Sequence, residues 1–343
     1  MVQTAPEHLL LALLRLNNVL QLQILRSAQE IWRLQPVWER LRRHHHTIFQ
    51  EFDWNLLAAR MFADREAPHV IYAHASFGEA IIPAVLRHGN GGTEIGLLGE
   101  ELFDYRNFLS AGDEDVLRSA LAHLADLKQP LRITALRQGD CEALPPELSL
   151  NRFTVAPGIR HRQLPADTFA EMHLRLARNL RRMQRLGYEF RALVDAGSHS
   201  QLLRTIYELK AEQDRQSLFR DPLRREFMVE AALLQPQRVQ IFTLESGSRL
   251  AAALVTLLDP GVRRFYTCWF APELSRHSPA LSLIYEVSRL SLADGLDCDY
   301  MTGEQSYKLR LATSAVQLFH LHATADQLAT LGSPALQELK IAG

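Results

Sequence analysis

Cysteine is scarce in this chain. Its 343 residues hold three, Cys141, Cys268 and Cys298, far apart and without a Cys-x-x-Cys pair, so neither a disulfide framework nor a zinc site is expected. Cys268 and Cys298 fall in adjacent predicted strands and read as small core residues. Net charge is also scarce: 38 Lys and Arg against 39 Asp and Glu leave -1 at pH 7. A neutral chain has no global attraction to nucleic acid or anionic membrane, and sequence-specific nucleic-acid binding is not expected. Long apolar runs are missing. The stretch from Leu9 to Leu14 follows Glu7 and is cut by Arg15, Asn17 and Asn18, which fits neither a signal peptide nor a transmembrane span, so a cytoplasmic chain is expected. No metal is expected either. His44, His45 and His46 are consecutive and point about 100° apart on a helix, so they cannot converge on one ion. His320 and His322 share a strand face and read as edge-strand residues without a third ligand nearby.

What is present is the composition of a globular protein, 47% hydrophobic and 22% charged, long enough for two domains. The densest signal runs from Phe265 to Lys308. Phe265 to Phe270 is rich in aromatic and β-favouring residues and reads as a strand. A polar turn, Pro272 to His277, leads to a helix with Ser278 as N-cap and Pro279 at the first helical position. Leu283, Ile284, Val287 and Leu290 recur at helical spacing, and Gly295 ends the helix. No carboxylate occurs between Ser275 and Tyr285, while Arg276 and His277 precede the cap. The first turn therefore suits an anion, because its backbone N–H groups are unpaired and the dipole is positive there. An ordinary surface helix is the other reading.

The order Ser278-Pro279-Ala280-Leu281, Ala293-Asp294-Gly295, Asp299-Tyr300-Met301-Thr302-Gly303-Glu304 and Tyr307-Lys308 resembles the large bacterial acyltransferases of the GNAT superfamily associated with cellulose biosynthesis. These are similar in plan to the Fem-type peptidyltransferases. The resemblance runs from about Ala28 to His322 and includes Ala28 to Leu41, Trp54 to Phe62, Asp104-Tyr105 with Phe108-Leu109, and Leu176 to Leu186. It implies an α/β (α+β) fold of two tandem GNAT-like domains, each a mixed, mostly antiparallel sheet flanked by helices, with an extra N-terminal helix. Two positions depart from the family pattern. Ala280 stands where glycine follows the Ser-Pro pair, and Leu309-Arg310-Leu311-Ala312 replaces an aromatic residue and a glycine. A methyl group at 280 narrows the approach of backbone to phosphate.

The chain accordingly divides into 1–27, an amphipathic helix for packing, a homodimer contact or a membrane surface; 28–150, a support and acceptor-side domain; 151–167, a linker marked by Pro157, Gly158 and Pro165; and 168–343, the donor-binding and catalytic domain. A weak repeat supports two halves. His69 to Leu86 and Arg238 to Leu257 each read as strand, turn, strand, and each is followed by strand, helix, strand. The first half opens its helix with Gly112-Asp113-Glu114-Asp115, whose carboxylates repel a pyrophosphate. The donor is therefore assigned to the second half.

The resemblance implies transfer of an acyl group from acyl-CoA or acetyl-CoA, or from the phosphopantetheine of an acyl carrier protein, to an amine or hydroxyl of a small-molecule or envelope-precursor acceptor. Backbone N–H groups of Thr267, Cys268 and Trp269 would polarise the carbonyl, and Arg276, His277, Ser278, Pro279, Ala280 and Leu281 would hold the donor. Glu304 would be the base, Tyr307 the proton donor to sulfur, and Lys308 a holder of acceptor charge. Asp104, Tyr105 and Arg106 read as acceptor pocket or solvated loop. Glu212, Asp214 and Arg215 are a secondary acceptor-side cluster or a salt-bridged helix surface. The basic helix 175–185, with Arg175, Arg178, Arg181, Arg182 and Arg185, is a solvated face, a lining for an anionic substrate, or a dock for an acidic carrier protein. Two rivals stand beside this reading: a Fem-like aminoacyl transferase using aminoacyl-tRNA, and a non-catalytic partner-binding protein.

Overall fold

In the computed structural model of the protein, residues 20–42, 47–89 and 91–332 are described. The first described element is strand β1 (Gln21–Leu25), followed by helices α1 (Ala28–Ile31), α2 (Gln35–Leu41) and α3 (Phe52–Met61). Strands β2 (Glu66–Pro68), β3 (Val70–Ala75), β4 (Gly78–Ile82), β5 (Ala84–Gly89), β6 (Gly92–Leu97) and β7 (Leu109–Gly112) come next. Helix α4 (Glu114–His123), β8 (Leu131–Arg137) and β9 (Leu150–Ile159) lead into α5 (Ala166–Met172), α6 (Leu174–Arg185) and β10 (Glu189–Leu193). Then follow α7 (Ser200–Gln213), α8 (Pro222–Leu234), β11 (Val239–Ser246), β12 (Arg249–Asp259) and β13 (Val262–Phe270). The described chain closes with α9 (Pro279–Ala293), β14 (Asp297–Asp299), α10 (Ser306–Leu311), β15 (Ser314–Ala323) and α11 (Ala325–Ala329).

A small antiparallel sheet has the order β1-β3-β4-β7, and an eleven-stranded sheet has the order β10-β11-β12-β13-β14-β9-β15-β8-β6-β5-β2. The fold is mixed α/β, with helices flanking mostly antiparallel sheets. Parallel pairing occurs at β13 with β14 and at β6 with β8. Strands β9 and β15 join the two halves into one sheet, since β15 pairs with β9 on one side and β8 on the other.

Three sequence expectations change here. Gln21 to Leu25 is a strand, not helix, because Ile24 and Leu25 register against Ile71 and Val70; residues 1–19 of the expected helical extension lie outside the described residues. The expected linker 151–167 supplies most of β9. Gly158 permits this, since a Cβ there would meet the Cys298 carbonyl oxygen at 2.6 Å. His320 and His322 lie on an interior strand, where His320 packs its ring on Phe153 with centroids 3.8 Å apart. The His44 to His46 run is outside the described residues. Among the described residues no group of three or more His, Cys, Asp or Glu side chains is placed to hold a metal, and no helix is long and apolar enough to cross a membrane.

Packing binds the halves as well. Trp54 of α3 and Phe62, just past its end, meet Phe227 of α8, with Phe62 and Phe227 centroids 5.1 Å apart. Phe103 packs on Phe49 at 5.4 Å in the same cluster. Burial of several fully enclosed aromatic rings fixes the 100–106 loop against the second half, because each such ring removes a large apolar area from water.

Candidate functional site

Strand β13 is antiparallel to β12 along its whole length, but it pairs with β14 only from Val262 to Arg264. Beyond Arg264 the two parallel strands part, leaving one edge of β13 without a strand partner. Register also slips there: Val255 faces Thr267 and Thr256 faces Phe265, so Tyr266 is the extra residue of a bulge. Thr267, Cys268 and Trp269 thus lie along the open edge. Burial pushes the Cys268 thiol up to about 12 and the Cys298 thiol likewise to about 12. Both stay protonated at neutral pH, which suits core residues and not nucleophiles.

Helix α9 begins beside this opening. Ser278 has φ 51° and ψ 52°, a left-handed conformation, and its hydroxyl makes no capping bond. The expected side-chain N-cap is corrected here, because a capping residue needs extended backbone to aim its oxygen at the first turn. Instead the Ser278 carbonyl accepts from the Ser282 N–H and hydroxyl, both at 3.0 Å. At the other end Leu296 N–H bonds Ser291 O and Gly295 N–H bonds Leu292 O, with Gly295 at φ 74°, the paired closure that glycine favours.

A cleft of about 280 Å³ opens between α6, the start of α9 and α10, lined by His173, Arg175, Leu176, Asn179, Ser278, Leu281, Tyr307 and Arg310 among others. Arg175 and Arg310 are exposed at its rim and form no ion pair among the described residues. Ser278 and Leu281 are where the sequence placed them. Pro279 and Ala280 belong to the same first turn, and neither they nor Arg276 and His277 line the cleft. Arg276 Nε donates to His277 Nε2 at 3.0 Å. His277 is buried, and burial followed by Arg182 and Arg276 lowers its pKa, keeping the ring neutral.

Helix α10 follows β14 and packs against β9. Tyr307 lines the cleft, and burial with Cys268 nearby pushes its phenol up to about 12. Lys308 turns the other way. It is buried, donates to Thr302 O at 2.8 Å and Met301 O at 3.4 Å, and is lowered by burial against the opposing pull of Asp104 and Asp299. Glu304 is exposed and accepts from the Thr154 hydroxyl at 3.4 Å. It is not part of the cleft.

The 100–106 loop of the first half completes this side. Tyr266 O–H donates to Leu102 O at 3.0 Å, and Tyr105 O–H reaches Asp299 at 2.8 Å. Asp299 also takes the Met301 N–H at 2.8 Å and pairs with Arg264. Arg264 is shared with Asp259, Asp259 with Arg238, and Arg238 with Glu51. This chain of buried charges was not read from the sequence; its members are far apart in the chain and carry no local signature. Arg106 is likewise buried, bonding Leu97 O at 3.1 Å, so the solvated-loop reading does not hold for it.

The remaining expected residues lie elsewhere. Glu212 and Arg215 line a shallow cleft of about 380 Å³ with Glu208, Arg220 and Arg225. Next to Glu212 in the chain, the Gln213 amide donates to Phe270 O at the end of β13 at 2.9 Å. Arg178 is exposed on α6.

The acetyltransferase (GNAT) domain family matches residues 171–309, a span that holds the open strand, the start of α9 and Lys308. Residues 171–309 are thus similar to a GNAT-type acetyltransferase domain. No curated protein sequence matches it. Among solved structures, a conserved protein of unknown function from Bacteroides thetaiotaomicron gives a TM-score of 0.57 at 9% identity, covering 89% of this chain and 100% of its own. The C-terminal domain of a protein assigned as a lysylphosphatidylglycerol synthetase from Agrobacterium fabrum gives 0.55 at 10% identity, covering 92% and 97%. FemX gives 0.51 at 10% identity, covering 80% and 96%. At these identities the likeness is one of fold.

Proposed function

We propose that the protein is an acyltransferase of the double-GNAT, cellulose-biosynthesis-associated kind, with residues 168–343 binding the donor and 28–150 supplying the acceptor side. The donor is an acyl thioester of CoA or of a carrier-protein phosphopantetheine. The observation that carries this reading is the open edge of β13 beside a cleft that starts at an acid-free helix turn. The cleft takes a pantetheine-like arm, with Arg175 and Arg310 at its rim for phosphate. Main-chain N–H groups of Thr267 to Trp269 polarise the thioester carbonyl. Tyr307, protonated at neutral pH, gives its proton to the departing sulfur. The acceptor approaches from the side of Asp104, Tyr105 and Lys308, where the two halves meet.

The exposed arginines of α6 favour a second form of the same reaction. Arg175, Arg178, Arg181, Arg182 and Arg185 offer a docking face for an acidic carrier protein, whose arm would enter the adjacent cleft. An aminoacyl-tRNA donor, suggested by the fold shared with FemX and the synthetase-assigned domain, would use that face for salt-sensitive RNA binding.

Thiol release measured with acetyl-CoA, long-chain acyl-CoA and an acylated carrier protein tests the proposal. Release that depends on added amine or alcohol is expected from at least one donor. Absence of release from all three, together with RNA binding, would replace it with the aminoacyl-tRNA reading.

A further inference from the structure

The two anchors of the 100–106 loop straddle the place where β13 and β14 part. Leu102 is tied to Tyr266, the bulge residue of β13, and Tyr105 is tied to Asp299, the last residue of β14. Asp104 lies between these anchors, half-buried. Lys308 and Asp299 act on its carboxyl electrostatically, as do Arg106 of its own loop and Arg264 of β13. Tyr266 and Tyr105 face it as well.

The carboxylates around this opening are not equivalent. Asp299 is engaged by Tyr105, the Met301 N–H and Arg264. Asp259 is engaged by Arg238 and Arg264. Glu304 is exposed beside Thr154. Asp104 makes no hydrogen bond and no close ion pair among the described residues, so both its oxygens remain available to a bound group. A half-buried carboxylate kept free of partners while its neighbours are saturated is the arrangement expected of a proton acceptor.

From this geometry we infer that Asp104, a residue of the first half, is the general base that takes the proton from the acceptor, with Lys308 as its electrostatic counterpart. The assignment rests on the acyl-transfer reading and deepens it. A protonated amine first sheds one proton to solvent. The neutral amine or hydroxyl then attacks the thioester carbonyl carbon while its proton passes to Asp104. A C–N or C–O bond forms and the C–S bond breaks with its electron pair on sulfur, which takes the phenolic proton of Tyr307. Solvent carries the proton from Asp104 back to the tyrosinate, leaving amide or ester and free thiol. Burial, with Asp299 adding to it and Lys308 opposing it, lifts the Asp104 carboxyl to about 6, so the base form prevails at neutral pH and is lost on acidification.

The test uses the full chain with acetyl-CoA and a set of acceptors, ethanolamine, lysine and glucosamine, from about pH 5 to about pH 9. Wild type is expected to show kcat/KM rising with pH through about 6 and then levelling. Asp104→Asn should lower kcat by roughly 10²- to 10⁴-fold and abolish that limb, with CoA affinity by calorimetry unchanged. Asp104→Glu should restore part of the rate. An Asp104→Asn protein that binds CoA normally and keeps both the rate and the limb overturns the assignment while leaving acyl transfer intact. Wild type that turns over no acceptor and no water with acetyl-CoA, long-chain acyl-CoA and an acylated carrier protein brings down the acyl-transfer reading and this assignment with it.

Discussion

The hydroxyl of Tyr105 lies 2.8 and 3.0 Å from the two carboxylate oxygens of Asp299. The ring of Tyr105 is enclosed between Arg264 and Arg137, whose guanidinium carbons lie 5.2 and 5.7 Å from its centroid. One side chain of the first half thus holds the end of β14 in the second, at the point where the large sheet opens.

Replacing Tyr105 by Phe removes this bond and leaves Asp299 one donor short in a buried charge network. Unfolding free energy should fall by about 1–2 kcal/mol. Urea unfolding would show a lower midpoint at unchanged slope; an unchanged midpoint would mean that the bond does not couple the halves.

Asp104→Asn should stabilise the protein at pH 8 and not at pH 4. Its carboxyl is raised from 3.8 to about 6 in the folded chain, so ionisation costs the folded state more than the unfolded one. The stability this group contributes is present below the unfolded pKa and is lost as pH rises through about 6. Removing the charge returns on the order of 1–2 kcal/mol after solvent screening. Thermal unfolding at the two pH values checks the sign.

Lys308→Met should move the acid limb of kcat/KM to higher pH, because the ammonium favours the ionised form of Asp104. It also leaves the Thr302 and Met301 carbonyls without their donor. A limb that stays in place would show that Lys308 and Asp104 do not interact during turnover.

Ser278 offers a purely conformational test. Because its backbone is left-handed and its hydroxyl caps nothing, Ser278→Gly should stabilise by roughly 1 kcal/mol. Ser278→Ala should cost almost nothing, instead of the approximately 1 kcal/mol of a lost cap. The melting temperatures of the two variants decide between these readings.

Local signals were legible in the sequence, and long-range ones were not. The strand at Phe265 to Phe270, the helix from Pro279 and its end at Gly295 follow from β-favouring residues, a proline suited to the first turn and a glycine suited to positive φ. The Ser246-Gly247-Ser248 turn between β11 and β12 was equally plain, with Gly247 at φ 57°. The segment containing Pro157 and Gly158 looked like a linker because proline and glycine punctuate loops. Only the close approach of Cys298 explains a glycine in the middle of a sheet. Within the site, Ser278, Leu281 and Tyr307 fell together from a contiguous motif, and Asp104 and Tyr105 were placed on the acceptor side. Arg276 and His277, read from the sequence as donor-binding, bond to each other just before the left-handed turn at Ser278. Glu304 was read as a base by its position and is exposed beside Thr154. The roles of Arg264, Asp259 and Asp299 depend on pairings that no local pattern encodes.

The most direct measurement is a calorimetric titration of CoA into the full chain, beside an Arg175→Ala, Arg310→Ala variant with an unchanged melting temperature. Micromolar binding is expected, weakened roughly tenfold in the variant, as for two exposed arginine–phosphate contacts, and reduced further by salt. No binding of CoA, or equal affinity in the variant, would contradict a donor cleft between α6, the start of α9 and α10.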